Sequence, residues 1–196
     1  MYPAIDIDEQ QIIQKAVKGN QAALGAIYEQ HADAVYRYML YRTGDHHIAE
    51  DITAEVFADM ITAIRSYRDM GVPFRAWLFR IARARLVDHW RKMQRRVEQR
   101  ITFSEDVEEF LLGDSLEDRH AYDDLLEALQ YLTPAEREII LLRYAADMDN
   151  DDIATAVQSN ANAVKSMMYR ALKKLRTILH NKAKTLEGGT NDEATE

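Results

Sequence analysis

Residues 132–143 read LTPAEREIILLR, and this stretch contains the strongest local structure signal in the chain. Thr133 supplies a hydroxyl that can cap a helix, Pro134 stands at the first helical position, and Glu136 stands where a capping box requires an acid. The apolar residues that follow are spaced as one face of a helix. The stretch therefore predicts a helix that begins at Pro134.

Two further helices are predicted after this one. Asp149 can cap a short helix, and Asn160 can cap a longer, basic helix with one apolar face. The order helix, tight turn, basic helix is that of a helix-turn-helix, which places its second helix in the DNA major groove. We therefore predict a DNA-binding domain over residues 121–182, although a basic helix that packs on a partner protein fits the same spacing. The candidate DNA contacts lie off the apolar face of the last helix: Asn162, Lys165, Ser166, Tyr169, Arg170, Lys173 and Lys174.

A second group of amphipathic helices is predicted over residues 10–97. Its last helix begins near Phe74, buries Trp77 and has arginines on its other faces. An arginine-rich helix next to a loop with aromatic edges can hold a nucleic-acid backbone and receive an unstacked base. The candidate contacts are Tyr67, Arg68, Arg75, Arg80, Arg83, Arg91 and Lys92, with Arg85, Arg95 and Arg96 extending the positive surface.

The predicted fold class is all-α, with two small helical domains joined by an acidic linker. Seven glycines and three prolines in 196 residues leave little turn chemistry for sheets, and no segment alternates β-branched with polar residues. Helical periodicity fails over residues 98–120, where acids accumulate, so this segment is predicted to be the linker. Residues 183–196 contain a Gly-Gly pair and four acids, and they are predicted to be a disordered tail.

The distribution of charge favours nucleic acid as a partner, although the net charge is −8. Residues 65–100 contain 11 basic and 3 acidic side chains, and residues 161–184 contain 7 basic and no acidic ones. The 60 residues between them contain 3 basic and 16 acidic side chains. Two basic blocks in an acidic background are the pattern expected of two separate phosphate contacts.

The composition excludes several classes of protein. The absence of cysteine excludes disulfides and thiolate zinc sites and fits a reducing, cytoplasmic location, and neither a signal peptide nor a membrane span is predicted. No catalytic triad, P-loop or glycine-rich phosphate loop is present, so neither an enzyme nor a cofactor is expected. His46 with Glu50 and His47 with Asp51 form i, i+4 pairs that could chelate a metal, but further ligands on other helices are missing, so no metal is expected.

Several motifs resemble those of a known family. Residues 49–57 (AEDITAEVF), 73–83 (PFRAWLFRIAR) and 88–91 (DHWR) resemble region 2 of bacterial extracytoplasmic function (ECF, group 4) RNA polymerase sigma factors of the sigma-70 family. Residues 132–144 (LTPAEREIILLRY) and 163–171 (AVKSMMYRA) resemble region 4 of the same proteins. The two sets occur in the family's order and are separated by a suitable linker, so together they are a specific signal.

The resemblance implies a transcription initiation factor that joins core RNA polymerase and recognises the −10 and −35 promoter elements. The loop from Tyr67 to Pro73 would capture a flipped non-template base of the −10 element, and the helix from Phe74 to about Arg96 would hold the duplex edge. The helix from Ala161 would read the −35 element, and an anti-sigma factor is implied as a further partner. Gln158 stands where the family usually has glycine, and a left-handed turn there without glycine costs roughly 1 kcal/mol or more. The residues that would dock on core polymerase are Glu50, Asp51, Glu55 and Asp59.

Two other hypotheses remain at this point. A helix-turn-helix regulator that never joins polymerase would bind duplex DNA and be indifferent to charge reversal at Asp51 and Glu55. A metal-dependent helical enzyme built on His46 and His47 would contain metal by elemental analysis.

Overall fold

The structure is a computed structural model that describes residues 7–68, 72–99, 125 and 127–188. Every regular element within these ranges is a helix, which confirms the predicted all-α fold. A short 3₁₀ turn, Ile64–Ser66, follows the third helix, and residues 127–130 are also helical. The α-helices are α1 (Ile7–Val17), α2 (Gln21–Thr43), α3 (His46–Ala63), α4 (Phe74–Gln99), α5 (Pro134–Tyr144), α6 (Asn150–Val157) and α7 (Ala161–Gly188).

Helices α1 to α4 form the first helical group, and local caps fix where its central helices begin and end. The side chain of Asn20 accepts a hydrogen bond from the Ala23 amide at the start of α2, and Asp45 accepts one from Ile48 at the start of α3, each at 2.9 Å. Gly44 ends α2 in the left-handed conformation (φ 70°), which glycine adopts without steric cost. These caps set the sharp reversal that packs α2 against α3.

The second helical group comprises residues 127–130 and α5 to α7. The capping box predicted at its start is present, because the Glu136 amide donates to the Thr133 hydroxyl at 3.3 Å and the Thr133 amide donates to the Glu136 carboxylate at 3.0 Å. Leu142, Met148 and Ile153 are fully buried where α5, α6 and α7 meet. The group therefore has a core of its own.

The predicted boundaries differ from the structure at the C-terminal end. Helix α7 continues to Gly188, past the predicted domain end at residue 182. The reason is local, because residues 182–187 read KAKTLE, contain no helix breaker, and precede the first glycine. Residues 100–120 of the predicted linker and residues 189–196 of the predicted tail lie outside the described residues.

The two helical groups pack against each other. Helix α4 contacts α6, and α2 contacts α5. Most of the side-chain hydrogen bonds that cross this contact are donated by arginines of the first group. We call this packing of α2 and α4 on α5 and α6 the closed arrangement.

Candidate nucleic-acid interface

The helix-turn-helix geometry comes from two local features between α6 and α7. Gln158 ends α6 in the left-handed conformation (φ 57°, ψ 49°), and the Ser159 amide donates to the Ala154 carbonyl at 2.8 Å. The Asn160 side chain then accepts a hydrogen bond from the Ala163 amide at 2.8 Å, which confirms its predicted capping role. The left-handed turn residue, for which the family usually has glycine, is thus Gln158 in this chain.

Helix α7 presents the predicted −35 contacts on one side. Its opposite face is buried and includes Val164, Met168, Ala171 and Leu175. Tyr169 is 70% exposed, which is unusual for a tyrosine. All members of the predicted set are exposed: Asn162, Lys165, Ser166, Tyr169, Arg170, Lys173 and Lys174.

Lys174 differs from the other predicted −35 contacts. Its Nζ lies 2.8 Å from both carboxylate oxygens of Glu136, so it joins α7 to the first turn of α5. The hydrogen bond from Lys174, with a further one from the Thr133 amide, lowers the pKa of Glu136. In this structure Lys174 therefore positions the recognition helix instead of projecting freely into solvent.

The predicted −10 contacts on and next to α4 divide into two sets. Arg68, Arg80, Arg91 and Lys92 are exposed. Arg75 and Arg83 are half-buried, because their guanidinium groups bind the second helical group. Arg75 Nη1 donates to the Asp147 carbonyl at 2.8 Å, and Arg83 Nη1 donates to the Ala156 carbonyl at 2.6 Å.

Tyr67 was expected at the edge of a base-capturing loop, but its ring is only 9% exposed. The ring centroid lies 5.5 Å from that of Phe74 and 5.1 Å from that of Trp77, and the hydroxyl donates to the Val72 carbonyl at 2.9 Å. Packing of apolar rings explains this burial. Residues 69–71 of the same loop lie outside the described residues.

Helix α3 presents the acids predicted to dock on polymerase. Glu50, Asp51 and Glu55 are exposed, whereas Asp59 is partly covered by the Arg85 guanidinium, which donates to both of its carboxylate oxygens. These hydrogen bonds raise the pKa of Arg85, and its Nη1 also lies 3.5 Å from Glu55. Arg85 had been counted with the positive surface of α4, but its charge is balanced by these α3 acids.

One polar cluster was not anticipated. Glu138 of α5 is buried, and Oε1 accepts from the Tyr38 hydroxyl at 2.9 Å and lies 2.7 Å from Arg83 Nε, while Oε2 lies 2.5 Å from Arg42 Nη1. Burial, together with the Glu138 charge, raises the pKa of Tyr38. We call these four residues the Glu138 cluster. A glutamate on the apolar face of α5, in register with Leu142, was the sequence signal that could have revealed it.

The histidines weighed as metal ligands have another partner in the structure. His46 Nδ1 lies 2.6 Å from the Tyr36 hydroxyl. Over residues 7–68, 72–99 and 127–188, no group of three or more His, Asp or Glu is placed to hold a metal ion. No helix in these same ranges is both long and apolar enough to cross a bilayer.

A helix-turn-helix with an exposed basic recognition helix, attached to a helical bundle with a second basic helix, defines a two-module DNA-binding protein. Comparison with known families gives the class more closely. The family model described as Sigma-70 region 2 matches residues 27–96, and the model described as Sigma-70, region 4 matches residues 122–175.

Related proteins agree with these matches. The chain is 32% identical over 187 residues to the ECF RNA polymerase sigma factor BldN of Streptomyces coelicolor, covering 93% of this chain and 71% of BldN. Its fold is similar to CnrH in complex with the cytosolic domain of CnrY, with a TM-score of 0.69, 23% identity and coverage of 88% of this chain and 97% of CnrH. It is also similar to the sigma factor RpoE in complex with the anti-sigma factor NepR from Bartonella quintana, with a TM-score of 0.63, 25% identity and coverage of 80% and 96%.

The chain belongs to the ECF RNA polymerase sigma factors. It is therefore a transcription initiation factor that binds core RNA polymerase and directs it to promoters. The alternative of a regulator that never joins polymerase is not favoured.

Proposed function

We propose that three surfaces of this sigma factor divide promoter recognition between them. The exposed face of α7 reads the −35 element, the basic residues on and beside α4 hold the −10 element, and the acidic face of α3 docks on core polymerase. The observation that carries this proposal is the row of exposed polar side chains on the N-terminal half of α7, directly after a capped helix-turn-helix turn.

At the −35 element, the first turns of α7 enter the major groove. Asn162 and Lys165 stand nearest the base edges, where an amide can form two hydrogen bonds with adenine and an ammonium can donate to guanine. Arg170 and Lys173 lie further along the helix and contact phosphates. Lys174 supports the helix through Glu136 in addition to any phosphate contact.

At the −10 element, the exposed cations Arg68, Arg80, Arg91 and Lys92 hold the backbone of the melted strand. Arg75 and Arg83 join them when the second helical group moves away. The Tyr67 ring supports the loop that receives an unpaired base. Removing a base from the stack costs a few kcal/mol, and contacts between this base and the protein must offset that cost.

Docking on core polymerase uses the exposed carboxylates of α3. Glu50, Asp51 and Glu55 are exposed on α3, so they can meet a basic partner while the exposed cations of α4 and α7 meet phosphate. Asp59 contributes less, because Arg85 already neutralises it.

Several finer assignments belong to the same proposal. The motifs support membership of group 4 of the sigma-70 family, and we propose that the chain acts where RNA polymerase acts, in the cytoplasm, without catalytic activity of its own. An anti-sigma factor is proposed as a regulatory partner, because CnrH and RpoE, both similar in fold, were solved in complex with CnrY and with the anti-sigma factor NepR.

The test is transcription by core polymerase reconstituted with this chain. Promoter fragments selected by the wild-type holoenzyme supply two templates, one intact and one with the −35 element scrambled. Wild type should lose most transcription on the scrambled template, and Asn162→Ala with Lys165→Ala should reduce transcription on the intact template to a similar level.

Thr177→Ala is the matched control, because Thr177 lies on the same helix, is exposed and stands outside the proposed reading face. It should behave as wild type on both templates. Failure of the chain to bind core polymerase would overturn the proposed function, and equal losses for Thr177→Ala and the double variant would overturn the −35 assignment.

A further inference from the structure

One side of α4 combines apolar and cationic side chains. Arg80, Ala84, Val87 and Arg91 are all exposed. Because 3.6 residues complete a helical turn, the four fall within about 60° of one another around the helix axis. We call these four residues the α4 strip. Val87 is 46% exposed, although valine is more often buried, so the strip presents an aliphatic surface with an arginine at each end.

The neighbouring arginines of α4 bind partners on other helices. Arg85 donates to both carboxylate oxygens of Asp59 on α3. Arg83 donates to the Ala156 carbonyl at 2.6 Å, and its Nε lies 2.7 Å from Glu138 Oε1. The α4 strip lies between these two contacts around the helix, and its exposure leaves it accessible to a strand of DNA.

The two arginines of the strip can hold a DNA backbone across it. Roughly three helical turns separate Arg80 from Arg91, which is about 16 Å along the helix axis. Asp88 Oδ1 lies 3.6 Å from Arg91 Nη1, and this ion pair restrains the guanidinium beside the strip. A strand whose phosphates meet both arginines has to pass over Ala84 and Val87. Its bases then lie against aliphatic atoms.

Thymine is the base whose edge suits such a surface. It carries a C5-methyl group, whereas the other base edges present hydrogen-bond donors and acceptors. The Val87 side chain has no hydrogen-bonding group, so it distinguishes bases only through apolar contact. Contact between its methyl groups and that of thymine removes apolar area of both from water, which is favourable.

We propose that Val87 is a specificity-determining residue that contacts the C5-methyl group of a thymine in the −10 strand held by Arg80 and Arg91. This inference rests on the proposed role of these arginines at the −10 element. The small side chain of Ala84 leaves space for the base, and the two phosphate contacts set the position at which the thymine meets Val87. The contact adds a base preference to phosphate contacts that carry no sequence information.

The test compares thymine with uracil, which lacks only the methyl group. Holoenzyme that contains this chain is titrated against fork-junction DNA made from the selected promoter fragments, in which one strand continues unpaired through the −10 element. Each thymine of that strand is replaced in turn by deoxyuridine. Wild type should lose about three- to fivefold in affinity at one position, which is the effect of burying a single methyl group. At that position 5-methyldeoxycytidine should bind more tightly than deoxycytidine by the same factor.

Val87→Ala should bind thymine and deoxyuridine equally at that position. Alanine favours a helix more than valine does, so this variant should keep its fold. Val87→Thr keeps the shape of the side chain but replaces one methyl group with a hydroxyl, and it should show an intermediate preference. Leu179→Ala is the matched control, because Leu179 is an exposed aliphatic residue (38%) on α7, outside the α4 strip. It should keep the wild-type preference for thymine whatever its overall affinity.

The outcomes separate this inference from the proposed function. Wild-type holoenzyme that binds −10 DNA but never distinguishes thymine from deoxyuridine would overturn the role of Val87 and leave the proposed function standing. A preference for thymine that persists unchanged in Val87→Ala would have the same meaning. Failure of the chain to bind core polymerase would overturn the proposed function and this inference with it.

Discussion

Gln158 provides a direct measure of what the helix-turn-helix turn costs this protein. Its φ of 57° and ψ of 49° lie in the left-handed region, where a side chain costs roughly 1–2 kcal/mol that glycine does not pay. Glycine in turn lowers the free energy of unfolding by about 0.4–1 kcal/mol, because it gives the unfolded chain more conformational freedom. Gln158→Gly should therefore stabilise the second helical group by about 0.5–1 kcal/mol.

The assay is thermal and urea denaturation followed by circular dichroism. For a domain of 60–100 residues, each kcal/mol shifts the Tm by about 4–8 °C, so Gln158→Gly should raise it by about 2–8 °C. Gln158→Ala keeps the backbone penalty and should leave the midpoint nearly unchanged.

The reciprocal control is Gly44→Ala at the end of α2. Gly44 has φ 70°, and an added Cβ there would meet nothing within 4 Å, so any loss comes from the backbone alone. We expect this variant to lose about 1 kcal/mol. Equal stability of wild type and Gln158→Gly, alongside a clear loss in Gly44→Ala, would refute the reasoning for the turn.

Three further predictions follow from charges in the structure. The pKa of Asp152 is raised to about 6, mainly by burial, so ionisation opposes folding as pH rises from about 4 through 6; Asp152→Asn should raise the urea midpoint at pH 8 and leave it unchanged at pH 3. The pKa of Glu136 is lowered, so its bond to Lys174 stabilises above the unfolded pKa and is lost in acid; Lys174→Met should lower the midpoint at pH 7, with a difference that disappears at pH 2. Asp51→Lys should weaken binding to core polymerase by at least about tenfold in a fluorescence titration, whereas Glu29→Lys, exposed on α2, should leave it unchanged.

The features that could be predicted from the sequence are those set by neighbouring residues. Thr133, Asn160 and Asp149 cap their helices as expected, because a capping side chain needs only an amide two or three positions ahead. The exposed face of α7 was predictable for the same reason, since helical spacing alone separates it from Val164 and Leu175.

The features that could not be predicted depend on which helices meet. Asp59 and Arg85 are 26 positions apart, and their pairing needs α3 and α4 to pack before either charge is neutralised. Tyr67 looked like a free ring beside a loop, but its burial depends on Trp77, one turn into α4. Charge counts along the chain include such side chains as if they faced solvent, so the positive surface of α4 was overestimated.

Arg83 shows why the same sequence pattern fits two uses. Phosphates and the carbonyls at the C-terminal end of a helix both present negative oxygens, and a guanidinium can donate to either in the same planar geometry. A basic helix that binds DNA can therefore also bind the end of another helix in its own chain. Spacing alone cannot tell the two apart, because the residues that decide between them, Glu138 and Ala156, are more than 50 positions away.

If the closed arrangement and promoter DNA compete for Arg83, raising the salt concentration should weaken DNA binding more than it weakens the half-buried bond to Glu138, since exposed charges are screened more strongly. At a fixed DNA concentration, the fraction of protein in which Arg83 is bonded to Glu138 should then rise with salt.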